Sequence, residues 1–239
     1  EHTFIDGFAL SQIIQVFSAT IDTAAWVLLL LLFELETSVL DDRKIHGPVK
    51  WTLHGVRLLC YVAVFYAFTG YCAELTMLYE AAPVSGFDAC ARIGDFLSLL
   101  VDLDEYVPLD AQTCAAVGTD VVQLTGFGIV SEPAVLDAAR RLAWVDVINS
   151  AAWLLVVIVL EIEVRLQLRG NLSSAVMNVT KWFKLAVYGT LFLAAGYWGV
   201  AGDFLDFWDA SLWLFAFIFI ELNVFEWQAE TTQQDAAQA

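Results

Sequence analysis

The chain has 239 residues, 59% hydrophobic and only 16% charged, with a mean hydropathy of +0.68 and a formal net charge of −17. A soluble domain is nearer half apolar and about 25% charged. Here the apolar excess falls in long blocks, so the composition argues against a water-soluble domain and predicts an integral membrane protein. The acidic balance argues against a nucleic-acid partner, because phosphates must be neutralised by Lys and Arg.

In chain order, the stretch "EHTFIDGFALSQ" comes first and is expected to lie along the membrane surface. It carries no basic, apolar and small-residue succession of the kind that marks a signal peptide. A membrane span needs about 20 mostly apolar residues. Five candidates follow, at 13–36, 52–78, 142–164, 182–202 and 204–227. The predicted fold class is therefore all-α: a polytopic membrane helix bundle of five transmembrane helices with a small helical extracytoplasmic insert. The predicted units are an interfacial segment plus first hairpin (1–80), the insert (81–140), a second hairpin (141–203), a fifth helix (204–228) and a disordered tail (229–239).

The insert holds nine acids against two arginines, a net charge of −7. Its stretches "FDACARIGDFLSLLVDLDEY" and "EPAVLDAARRLAW" have helical spacing and predict a helical cap. Asp102, Asp104 and Glu105 cluster there without an EF-hand loop around them, so they are read as a solvated face and not as a calcium site. Cys90 and Cys114 are predicted to form a disulfide, on the expectation that the insert faces an oxidising compartment. Cys60 is read as a small packing residue of the second span, and Cys72 as a rival for the bridge.

Orientation follows from the basic residues. Arg43, Lys44, Lys50 and Arg57 flank one short loop; Arg165, Arg169, Lys181 and Lys184 flank the other; Arg92, Arg140 and Arg141 lie on the opposite side. Eight against three places the short loops and the C-terminus in the cytoplasm and the N-terminus and insert outside, with a bacterial inner membrane as the expected location.

One pattern recurs. "IDTAAWVLLLLLFELET", "INSAAWLLVVIVLEIEV" and "WDASLWLFAFIFIELNV" all fit [DN]-x3-W-x7-E-[LI]-[EN]. Its polar positions are Asp22, Glu34 and Glu36; Asn149, Glu161 and Glu163; and Asp209, Glu221 and Asn223. Lys50-Trp51 with Gly70-Tyr71, and Lys181-Trp182 with Gly196-Tyr197, form a looser match. Parallel internal repeats are predicted, two hairpins and a fifth helix without a hairpin partner.

Twelve residues separate Asp22 from Glu34, a rise of about 18 Å, against a hydrocarbon core about 30 Å thick. At least one polar residue per helix is thus expected at membrane depth, where a charge costs about 2.5–3.5 kcal/mol on insertion scales. Pairing lowers that cost. Arg165 shares a helix face with Glu161, and Arg57 is placed to reach Glu34 or Glu36. These residues are the predicted transport pathway or buried polar network. Hydroxyls of Tyr61, Tyr66, Thr69, Tyr71, Tyr188, Thr190 and Tyr197 line the even spans.

His2, His46 and His54 have no haem or metal spacing, and no mid-membrane Lys is placed to hold retinal. CxxC, phosphate-loop, zinc-protease and GxSxG motifs are absent. No catalytic residue, metal or cofactor is predicted, and the chain is not expected to be an enzyme. The expected function is a channel or transporter subunit moving cations or protons past the recurring acids. The alternative is a non-catalytic scaffolding or accessory subunit of a larger membrane complex. The expected partners are the lipid bilayer and either further copies of the chain or that complex.

Overall fold

The computed structural model describes residues 18–35, 47–103, 105–168 and 173–238. The interfacial segment, Glu36 and Asp104 lie outside them, as do the side chains of Glu221 and Asn223.

Among the described residues five long helices form the bundle: α1 (Ser18–Glu34), α2 (Pro48–Tyr79), α3 (Pro133–Leu168), α4 (Ser174–Ala201) and α5 (Phe204–Gln238). Local chemistry sets several of their ends. Pro48 begins α2 at a position where its missing N–H is not needed. The Ser173 hydroxyl accepts the Val176 N–H at the start of α4. Gly202, at φ 96, ends α4 and returns its N–H to the Trp198 carbonyl. The Asp203 carboxylate then accepts the Asp206 N–H and opens α5. This turn is tight: a Cβ on Gly199 would sit 3.2 Å from the Phe207 ring. α5 continues as helix to Gln238, through the polar stretch expected to fray.

Each helix packs antiparallel to its predecessor, so α1, α3 and α5 run in one direction. The main core lies where α1, α3, α4 and α5 meet, around Phe33, Val156, Leu160, Leu191, Leu214 and Phe217. A smaller one joins α1 to α2 through Ala25, Leu29, Cys60 and Val64.

The region between α2 and α3 overturns the all-helical expectation. It is a mixed sheet of five strands: β1 (Ala81–Ser85), β2 (Ser98–Asp102), β3 (Glu105–Pro108), β4 (Asp120–Leu124) and β5 (Ile129–Ser131). Their order is β1-β4-β5-β2-β3, with β2 and β5 parallel and the other pairs antiparallel. The stretch expected to be helical from Phe87 to Tyr106 is broken at Gly94 (φ 101) and Phe96 (φ 54), conformations a right-handed helix cannot contain. Val and Ile in β4 and β5 suit the pleat, and Pro83 sits on the edge strand, where no ladder N–H is lost. The second expected helix, after Glu132, is the first part of α3. Cys90 and Cys114 lie in short 3-10 turns and are joined, S–S 2.08 Å. Cys60 and Cys72 are free thiols.

The five-span reading is likewise corrected. Among the described residues, two helices are long and apolar enough to cross a membrane, Pro48–Tyr79 and Pro133–Leu166. In α4 the apolar run is diluted by Tyr188, Gly189, Thr190, Gly196, Tyr197 and Trp198. The apolar character of α2 is turned outward: Leu58, Leu59, Val62 and Phe65 are all exposed, the arrangement of a surface meant for lipid or another protein.

The sheet grips the adjoining ends of α2 and α3. Leu75 and Leu78 of α2, Leu136 and Ala139 of α3, and Leu100 and Leu124 of the sheet share one buried core. Arg140 donates to the Leu78 carbonyl at 3.0 Å and lies over the Tyr79 ring at 4.8 Å. The Trp144 indole donates to the Tyr79 hydroxyl at 3.1 Å.

Candidate functional site

The first half of the recurring pattern converges in space. Asp22 of α1, Asn149 of α3 and Asp209 of α5 line one cavity of about 160 Å³, with Trp26, Trp153 and Trp213. The spacing explains why. Residues four apart share a helix face, so each parallel helix presents its polar residue and its Trp together. In two copies the indole lies beside the carboxylate, Trp26 with Asp22 and Trp213 with Asp209.

The rings pack edge to face under the polar groups. Trp26 lies 6.3 Å from Trp153, 6.5 Å from Trp213 and 6.1 Å from Phe217; Trp153 and Phe217 are 4.6 Å apart. The cavity is therefore a cup with acids near its rim and indoles for walls. It continues into a cleft of about 730 Å³ that shares Asn149, Trp153, Asp209 and Trp213 and adds Glu74, Asp146 and Asp206. Those three added carboxylates each have an interaction within the protein. Among the described residues neither lining contains a Lys or Arg.

Two atoms in the cup stand out. Asp22 Oδ1 and Asn149 Oδ1 are shielded from solvent and accept no hydrogen bond from the described residues. Buried acceptors are nearly always satisfied, so both are set to receive a donor from something else.

Below the cup the bundle is closed. Leu29, Val156, Val157, Leu160, Leu214 and Phe217 are buried and fill the bundle between the levels of Trp153 and Glu161 on α3, about 12 Å of rise apart. The second half of the pattern lies beyond that plug. Glu161 receives Arg165 at 2.8 Å from one turn on, Arg57 at 3.5 Å from α2, and the Tyr61 hydroxyl at 3.1 Å. Arg57 also covers the Phe33 ring at 5.2 Å. Glu163 pairs with Lys184 of α4 at 2.8 Å, and their side chains are 5% and 6% exposed. Glu34 is half-buried at the end of α1.

The structure thus separates the expected network into two sites at opposite ends of the bundle. The reading from spacing found the Arg165–Glu161 pair and named Arg57. It missed Tyr61 as a partner of Glu161 and Lys184 as the partner of Glu163. It also missed the three tryptophans as walls of a cavity. The recurrence of Trp beside a polar residue was the available signal for the last.

Among the described residues, no group of three or more His, Cys, Asp or Glu side chains is placed to hold a metal ion. No protein-family model matches the chain, and no curated protein and no solved structure resembles it significantly.

Proposed function

We propose that this chain is a membrane protein that admits a cation at the cup and passes cations or protons through its helical bundle, as a channel or transporter subunit. One observation carries the reading: three helices deliver Asp22, Asn149 and Asp209 to one cavity with no basic residue among the described residues of its lining. Such a cavity concentrates positive charge. The apolar plug beneath it separates the cup from Glu161, so the arrangement is that of a shut path, and conduction requires the plug to part. Glu161 and Glu163 hold the far end together through their Arg and Lys partners rather than carrying the permeating species.

In this reading α2 and α3 cross the bilayer as an antiparallel pair. The sheet domain and its disulfide lie outside, with the cup at the same end. The Arg57, Arg165 and Lys184 end faces the cytoplasm, as basic residues favour.

The test is flux. The purified chain is reconstituted in liposomes and cation and proton uptake are followed under a gradient. D22N/D209N is expected to lower uptake at least tenfold; uptake unchanged in a variant of native circular dichroism would sink the proposal.

The exposed apolar face of α2 supports a second reading, an accessory subunit whose face is covered by other membrane proteins. Purification from the native membrane without any stable companion would remove it.

A further inference from the structure

We infer that the cup is built for a small primary ammonium ion, a protonated amine on a short carbon body, rather than for a metal ion or a quaternary ammonium. The inference rests on the cation reading above and specifies the kind of cation.

Three observations narrow the ligand. The first is the donor set. Hard metal ions take six to eight oxygens in one shell; the cup mixes its oxygens with three indoles, and among the described residues no cluster of His, Cys, Asp or Glu is placed to hold a metal ion. The second is the walls. Trp is the strongest aromatic partner for a cation over its face, and three Trp side chains surround the polar groups. With Asp22 and Asp209 in the lining and no Lys or Arg among its described residues, charge and aromatic surface select the same guest.

The third observation separates ammonium classes. Asp22 Oδ1 and Asn149 Oδ1 are shielded acceptors with no donor among the described residues. A quaternary ammonium has no N–H to give them. A primary ammonium has three donors, enough to serve both oxygens and the Asp209 carboxylate. Trp26 lies one helical turn from Asp22 and lines the same cavity, so indole and carboxylate meet the guest together. Space agrees: the cup of about 160 Å³ seats a head group, and the adjoining cleft of about 730 Å³ takes the body.

The full chain in detergent is titrated with butylammonium, phenethylammonium, tetramethylammonium, potassium and calcium, read by tryptophan fluorescence and calorimetry. The primary amines are expected to bind at least tenfold tighter than tetramethylammonium and to resist displacement by either metal ion. D22N and N149L are expected to weaken them at least tenfold. Should D22N fail to fold, D209N on the exposed rim is expected to weaken them several-fold. Equal or tighter binding of tetramethylammonium, displacement by potassium or calcium, absence of amine binding, or full amine affinity in both D209N and N149L would each overturn the inference. The flux assay separates the two levels. Flux that depends on Asp22 and Asp209, with no amine bound, removes the ammonium assignment and leaves the cation reading standing. Amine binding with no flux of any ion keeps the assignment and removes translocation.

Discussion

The two ends of the bundle carry the same kind of residue and treat it in opposite ways. At the cup, Asp22 and Asp209 share a cavity with Asn149, hydroxyls and indoles, and with no Lys or Arg among the described residues. At the far end, Glu161 and Glu163 meet Arg57, Arg165 and Lys184. The recurring pattern alone would assign both ends one role. The difference comes from the helices between: α2 and α4 bring cations to the far end and, at the cup end, Val64, Ala67, Phe68 and Tyr71 of α2. An acid that a neighbouring helix neutralises is a fastening, and one that it leaves unmatched is a place to bind.

Substitution should make that contrast measurable. The largest effect is expected at the Glu163–Lys184 pair. E163Q or K184M leaves one charge buried and should cost about 3–5 kcal/mol, seen as a large fall in melting temperature in detergent. E163L/K184M should recover most of it. The sheet domain is the next test. C90S/C114S opens a loop of sequence separation 24 and should cost about 3 kcal/mol on loop-closure grounds. Hydrogen exchange should rise across 81–131 while amides near the cup keep their protection. Y61F removes one of three donors to Glu161 and should cost on the order of 1.5–3 kcal/mol, read by the same melting experiment. At the rim of the cup, D209N should change stability by less than about 0.5 kcal/mol while lowering flux. A D209N variant as unstable as E163Q would erase the distinction between the two ends.

The smallest effect is a pH dependence within the sheet domain. The Asp110 carboxylate accepts the Thr113 and Gln112 backbone N–H groups, at 3.0 and 2.7 Å, which holds its pKa below the ordinary 3.8. A carboxyl with a lowered folded pKa stabilises fully above its unfolded pKa and loses that contribution as pH falls through the folded value. D110N should therefore flatten stability in that acid window and leave neutral pH behaviour unchanged. A carboxyl resonance for Asp110 titrating at or above 3.8 would contradict this.

How much was legible depended on distance along the chain. Helical stretches, the Arg165–Glu161 pair and the Cys90–Cys114 bridge follow from spacing and composition. The sheet did not, because its pairings run between distant segments, as in Ala81 with Leu124 and Ser98 with Ile129, and apolar residues in "DFLSLLVDLDEY" satisfy helical spacing equally well. Lys184 reaches Glu163 from 21 residues away across a helical turn-around, so it was visible only as a charge near a loop. The cup was half legible: the pattern aligned Asp22, Asn149 and Asp209, but alignment in sequence carries no information about whether three helices turn those positions inward.

The grip of the sheet on Leu78 and Ala139 gives the α2–α3 hairpin an unusual turn. A short loop fixes the register of two helices by its own length. Here a folded domain between Tyr79 and Pro133 does so, and that register holds only while the domain is folded. Tyr71 and Glu74 on one strut, and Asp146 and Asn149 on the other, lie within a few turns of that hinge-plate. The shape of the cleft beside the cup is thus tied to the fold of the sheet domain that joins the two helices.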